Sequence, residues 1–179
     1  MTAARPTFLV DADDVICVNN PYGFYDVLAD GPKPVDLFER LFDPTAVGTL
    51  RQFLSEHSPR VVLTTSWLRF LDRAGFEQLF RAAELEVVAS ALHDHWEAPQ
   101  NRGQTRFDAI DSWLKAHHGG EPIVIFDDQL SGTGLAESRL RTYVAWCELG
   151  VGLGAGHIET VRSILAKRPP RPRPEKVVA

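Results

Sequence analysis

The sequence predicts an α/β protein with a mostly parallel, five-stranded sheet, doubly wound so that helices cover both faces in three layers. Three observations predict it. Short apolar runs alternate along the 179 residues with longer segments of helical periodicity. The runs ending at Val10, Leu63 and Phe126 are apolar throughout, as strands covered on both faces must be. Each run then stops at polar or acidic residues, namely Asp11, Thr64-Thr65 and Asp127-Asp128. Open parallel sheets place their ligands at the carboxyl ends of the strands. Three strand ends therefore agree on one edge.

Taken in order, residues 7–11 read as a short buried strand. Turn signals at Asn19-Asn20-Pro21 and Gly31-Pro32-Lys33-Pro34 bracket the apolar Phe24, Tyr25, Val27 and Leu28, a segment sized for a small lid or a core cover. Residues 35–42 suggest a short helix that breaks near Asp43-Pro44. Val47, Leu50, Phe53 and Leu54 recur at helical spacing from Thr45 to His57, and Pro59 ends that helix. Val61 to Thr65 is rich in β formers and reads as the second strand. Ser66-Trp67 leads into an amphipathic helix carrying Leu68, Leu71, Phe76, Leu79 and Phe80, with Gly75 as its divider. Leu85 to Ala89 is expected as a weaker third strand. Residues 93–103 are expected as a polar crossover, within a 90–104 stretch that offers a second small lid.

Helical spacing returns through Phe107, Ile110, Trp113 and Leu114, and Gly119-Gly120 closes that helix. Ile123 to Phe126 and Arg141 to Cys147 complete the strands. Gly150, Gly152, Gly154 and Gly156 read as a turn before a last helix, His157 to Leu165. Prolines alternate with arginines from Arg168, which forbids a helix. The expected organisation is one domain over 1–166 and an extended, disordered tail over 167–179.

Composition narrows the function classes. The chain is long enough for one well-buried core. A net charge of −5 removes any general attraction to nucleic acid, although a local basic groove remains compatible with it. Cys17 and Cys147 are too few and too distant for a disulfide framework and read as buried free thiols, which suits the cytoplasm. The first residues lack a secretory pattern, and no apolar run approaches the length of a membrane span.

The acidic residues carry the chemistry. Asp11 and Asp13 leave an extended backbone on the same side. Beside Asp127 and Asp128 they crowd one sheet edge with like charge, which asks for a divalent cation, and oxygen-only ligands favour Mg²⁺. Phosphoryl transfer fits this set. Asp11 is the candidate nucleophile and Asp13 the candidate proton donor and acceptor. Thr65 and the backbone N–H of Ser66 offer hydrogen bonds to phosphate oxygens, with Thr64 as the competitor if the register differs by one. Arg106, or Arg102, offers a guanidinium to the same group. Asp11, Asp127, Asp128 and the backbone carbonyl of Asp13 are the candidate metal ligands.

These segments together resemble the haloacid-dehalogenase-like (HAD) phosphohydrolases. Asp11-Ala12-Asp13-Asp14-Val15 matches the first motif of that family, and Val61-Val62-Leu63-Thr64-Thr65 the second. Arg106, opening the helix that continues through Phe107-Asp108-Ala109-Ile110, matches the third, where lysine is commoner. Ile123 to Asp128 matches the fourth. Asp14 stands where the family often has glycine. Thr64-Thr65-Ser66-Trp67-Leu68-Arg69 and Ala109-Ile110-Asp111-Ser112-Trp113-Leu114 look like a small bacterial subgroup whose domains also occur in RNA-repair proteins.

The resemblance implies a HAD-like Rossmannoid sheet of order 5-4-1-2-3 and no large cap. It also implies a Mg²⁺-dependent phosphatase acting on a phosphorylated small molecule or nucleic-acid end. The competing expectation is an inactive HAD-like domain that serves only interaction or regulation. Nothing in the sequence calls for an obligate protein partner.

Overall fold

A computed structural model describes residues 4–170. Its elements are β1 (Thr7–Val10), α1 (Phe24–Leu28), α2 (Leu37–Arg40), α3 (Pro44–His57), β2 (Arg60–Leu63), α4 (Arg73–Ala82), α5 (Glu86–Ala91), β3 (Leu92–Glu97), α6 (Arg106–His117), β4 (Ile123–Asp128), β5 (Val144–Cys147) and α7 (His157–Leu165). Short 3₁₀ turns, Ser66–Arg69 and Arg141–Tyr143, sit after β2 and before β5. The sheet runs β3-β2-β1-β4-β5, the expected order seen from its other edge, and all four pairings are parallel.

Strand alternation divides the core in two. Phe8, Val10, Val61, Leu63, Val124 and Phe126 face one side, where they meet Phe53 of α3, Phe76 of α4, Val88 of α5 and Val161 of α7. Leu9, Val62, Ile123 and Ile125 face the other, against Ile110, Trp113 and Leu114 of α6. The same alternation carries Asp11 and Asp127 onto the α6 side, so the helix that starts at Arg106 lies over both acids.

Four local expectations are corrected. Residues 86–91 form a helix, and the third strand begins only at Leu92. Leu85, Val88 and Ala91 are buried at a helical spacing, and Glu84 ends the preceding helix in a left-handed conformation at φ 58°. The stretch expected as a polar crossover supplies that strand instead. It lies at the sheet edge, where only Leu92 and His93 are buried and polar residues are tolerated. His93 and His95 are thereby committed to structure: His93 Nδ1 accepts the His95 backbone N–H at 2.9 Å, and the His95 ring stacks on His117.

The helix after β2 divides at Phe70–Asp72 rather than at Gly75. Asp72 caps α4 by accepting the Gly75 N–H at 2.8 Å. The fifth strand starts at Val144, because Arg141–Tyr143 wind into a 3₁₀ turn. Both cysteines are free and buried, as expected. Lys167 and Arg168 still bond to the domain through Thr142 and Tyr143, Pro170 is buried, and residues 171–179 of the expected tail lie outside the described residues. Among the described residues no helix is long and apolar enough to cross a membrane.

The glycine turn after β5 locks the loop after β1. Leu153 N donates to Val15 O at 2.9 Å, and Gly150 N donates to Asp14 Oδ1 at 2.7 Å. Gly152 adopts φ +74°, and a Cβ there would lie 2.7 Å from the Val15 carbonyl oxygen. Gly154 faces open space. Gly152→Ala is expected to lower stability by about 1–3 kcal/mol in urea unfolding, while Gly154→Ala stays within about 0.5 kcal/mol of the parent.

Candidate active site

Asp11 follows β1 directly, and its N–H continues the ladder to Phe126 O at 3.0 Å. Its carboxylate is buried, with one oxygen accepting the Ala12 N–H at 2.7 Å. Asp127 and Asp128 close β4 and are both fully buried. Oxygens of Asp11, Asp127 and Asp128 all lie within 4.8 Å of one another. Asp128 also builds its own loop. Its Oδ1 accepts the N–H groups of Leu130 and Ser131 at 2.7 and 3.0 Å, and its carbonyl accepts Gly132 N–H at 2.8 Å.

Arg106 enters this cluster from the first turn of α6 and is 2% exposed. Its Nη2 donates to Asp11 Oδ2 at 3.0 Å. Its Nε lies 3.0 Å from Asp127 Oδ2, an ion pair without hydrogen-bond alignment. The helix start that presents it is held twice. Thr105 and Asp108 form a reciprocal capping box, with Thr105 Oγ1 accepting Asp108 N–H at 3.1 Å and Asp108 Oδ2 accepting Thr105 N–H at 2.8 Å. Thr133, in the loop after β4, accepts Arg106 N–H on Oγ1 at 3.0 Å and Phe107 N–H on its carbonyl at 3.1 Å. The loop that Asp128 shapes thus grips the helix that delivers Arg106. Arg102 is exposed on the turn before this helix and takes no part in the cluster.

Thr65 caps the 3₁₀ turn after β2, accepting Trp67 N–H at 3.3 Å, and its side chain lies beside Asp11, where it acts to lower the Asp11 carboxyl. Thr64 is fully buried, and its hydroxyl has no hydrogen-bond partner. Ser66 is exposed, with its N–H heading that turn. Asp13 is only partly buried and stands apart from the three-acid cluster. Its Oδ2 accepts the Trp67 indole N–H at 2.9 Å, and Asn19 lies beside the same side chain. Asp14 occupies the left-handed region at φ 55°, which accounts for glycine being suited to this position. Its carboxylate offsets that strain by taking Gly150 N–H.

Sequence reasoning did not foresee the Trp67–Asp13 or Asp14–Gly150 bonds, because residues so distant in the chain share no periodic signal. The subgroup-like Asp111 and Trp113 hold structure together. Asp111 pairs with Lys115 and Arg139, and the Trp113 indole N–H donates to His95 O at 2.9 Å.

The electrostatics follow from burial. Desolvation raises the Asp11 carboxyl to about 6, with Arg106 opposing the rise. Desolvation and then the Asp11 charge raise Asp127 to about 8. Burial also pushes Asp13 upward. One guanidinium faces three buried carboxylates, and Asp127 Oδ2 and Asp128 Oδ2 are buried without hydrogen-bond partners. Excess negative charge, orphaned oxygens and an all-oxygen donor set fit a hard divalent cation such as Mg²⁺.

Raised carboxyl pKa values mean that the folded, metal-free protein holds protons which the unfolded chain releases. That stability is complete below the ordinary value of 3.8 and is lost as pH rises through about 6 and then about 8. The thermal midpoint of the metal-free protein is therefore expected to fall between about pH 5 and about pH 8.5, and Mg²⁺ to raise it more at the upper end. A midpoint that climbs with pH in EDTA contradicts this. Arg106→Met leaves Asp11 and Asp127 buried without their cation and is expected to cost about 3–5 kcal/mol in chemical unfolding without metal.

No curated protein and no solved structure matches the chain significantly. One family model does match, across residues 7–158, and its description is "HAD domain in Swiss Army Knife RNA repair proteins". The match covers most of the chain and includes every strand end described above, so the chain belongs to this family of HAD domains.

Proposed function

We propose that this protein is a Mg²⁺-dependent phosphomonoester hydrolase that works through an aspartyl-phosphate on Asp11. One observation carries the reading. Asp11 sits buried at the tip of the central strand, within a cluster of two further acids and one guanidinium, while Asp13 stands beside it in a separate, half-open setting. Two carboxylates with unlike surroundings suit two unlike roles.

In the first half-reaction the Asp11 carboxylate attacks phosphorus. The bond from phosphorus to the substrate oxygen breaks, and Asp13 gives that oxygen a proton. In the second, water attacks the phosphorus of the aspartyl-phosphate and Asp13 takes its proton. The bond to Asp11 then breaks, which releases phosphate and restores both acids. Thr65 and the Ser66 N–H hold phosphoryl oxygens at the turn after β2. Arg106 keeps Asp11 oriented and presents Nη1, which has no hydrogen-bond partner of its own, as a donor for the transferring group. Mg²⁺, held by Asp11, Asp127, Asp128 and the Asp13 carbonyl, would supply charge neutralisation between nucleophile and phosphate.

Among the described residues no large cap covers this edge, so the site admits a phosphorylated small molecule or a nucleic-acid end. The description of the matched family makes the nucleic-acid end the first class to test. Two buried free thiols suit a cytoplasmic setting.

Phosphate release from sugar phosphates, nucleotides, phosphopeptides and 5′- or 3′-phosphorylated oligonucleotides tests the reading. Release is expected with Mg²⁺, absent with EDTA, and reduced on the order of 10³-fold or more in Asp11→Asn. Full turnover in that variant removes Asp11 as the nucleophile. A folded, metal-loaded protein inert across the panel favours the interaction domain.

A further inference from the structure

Trp67 is an unusual neighbour for a catalytic carboxylate, because aromatic rings pack its indole and hydrogen bonds hold both of its N–H groups. The ring is 1% exposed. Phe24 stacks on it at 4.3 Å with 8° between the planes, and Phe42 lies nearly parallel at 6.0 Å. Its backbone N–H is bound by Thr65, the residue whose side chain also lies beside Asp11. The indole N–H can only donate, and it donates to Asp13 Oδ2 at 2.9 Å. A partly exposed Asp on a turn would otherwise sample several rotamers. The stack instead fixes the indole, and the indole fixes the carboxylate.

Phe24 belongs to α1, in the segment expected as a small lid. In the structure that segment backs the Trp67 ring through Phe24, and Asn19 lies beside Asp13.

We propose that Trp67 is the positioning residue for Asp13: its indole N–H holds one carboxylate oxygen so that the other faces the substrate oxygen, and later the attacking water. The role rests on the phosphohydrolase reading. It predicts an asymmetric defect. An aryl phosphate with a good leaving group needs no proton in the first half-reaction, whereas hydrolysis of the aspartyl-phosphate still needs Asp13 to accept one.

The test uses full-length protein with Mg²⁺ and 4-nitrophenyl phosphate, followed by rapid mixing. In Trp67→Phe, which keeps a ring against Phe24 but removes the N–H, the first-turnover rate is expected within about threefold of wild type. The steady-state rate is expected to fall at least about tenfold, giving a burst of nitrophenolate, as in Asp13→Asn. An alkyl phosphate, which needs the proton in both halves, is expected to lose its first-turnover rate as well.

A second readout needs no turnover. The indole ¹⁵N–¹H resonance that Trp67→Phe removes is expected to shift in Asp13→Asn further than those of Trp96, Trp113 and Trp146. Slowing of both phases alike with the aryl substrate, an unchanged steady state, or an indole resonance indifferent to Asp13→Asn overturns the positioning role. A wild type inert on both phosphates and on 5′- and 3′-phosphorylated oligonucleotides, yet with the indole shift present, overturns the phosphohydrolase reading and leaves only a structural bond.

Discussion

Everything at this edge of the molecule depends on burying three carboxylates around one guanidinium. Asp11, Asp127 and Asp128 are each essentially inaccessible, and Arg106 lies among them. Charges so far from water are tolerated only when paired and held. The pairing is incomplete, because one positive charge faces three acids. Burial first, and for Asp127 the neighbouring Asp11 charge, raise the Asp11 and Asp127 carboxyls, and oxygens of Asp127 and Asp128 are left without hydrogen-bond partners. A fold indifferent to function would fill this space with apolar side chains at less cost. The cluster is therefore suited to a cation, and its stability is tied to how that charge is neutralised.

The surrounding loops exist to keep that arrangement in register. The loop after β4 is shaped by Asp128 and grips the first turn of α6 through Thr133, which fixes where Arg106 enters. The loop after β1 is held by the glycine turn after β5, through Asp14 and Val15. The turn after β2 reaches Asp11 through Thr65 and Asp13 through Trp67. Together the connections tie the ends of β1, β2, β4 and β5 and the start of α6 to one another. Displacement of one loop is thereby resisted by the others, which keeps the cluster pre-organised.

Much of this was legible in the sequence, and the legible parts share a cause. Buried parallel strands need unbroken apolar runs, so β1, β2 and β4 announce themselves, as do the acids that end β1 and β4. A capped amphipathic helix needs its cap and its stripe, so α6 and the place of Arg106 within it are equally plain. The edge strand β3 was hidden because an edge does not demand apolar residues, and its neighbour α5 was mistaken for it because Glu86–Ala91 is too short to show a period clearly. The break before α4 was misplaced because Gly75 is a conspicuous residue while Asp72, the actual cap, is an ordinary one.

The sequence by itself determined which chemistry-bearing residues lie at strand ends, and hence the fold class and the edge where they gather. Only the tertiary structure decided their partners. It set Arg106 between Asp11 and Asp127 while leaving Arg102 outside, brought Thr65 rather than Thr64 to Asp11, and put Trp67 on Asp13. The physical reason is range. Strand and helix signals are periodic and local, so they can be read along the chain. A hydrogen bond between residues 13 and 67, or 14 and 150, depends on how separate strands and loops come to rest against each other, and no local pattern encodes that.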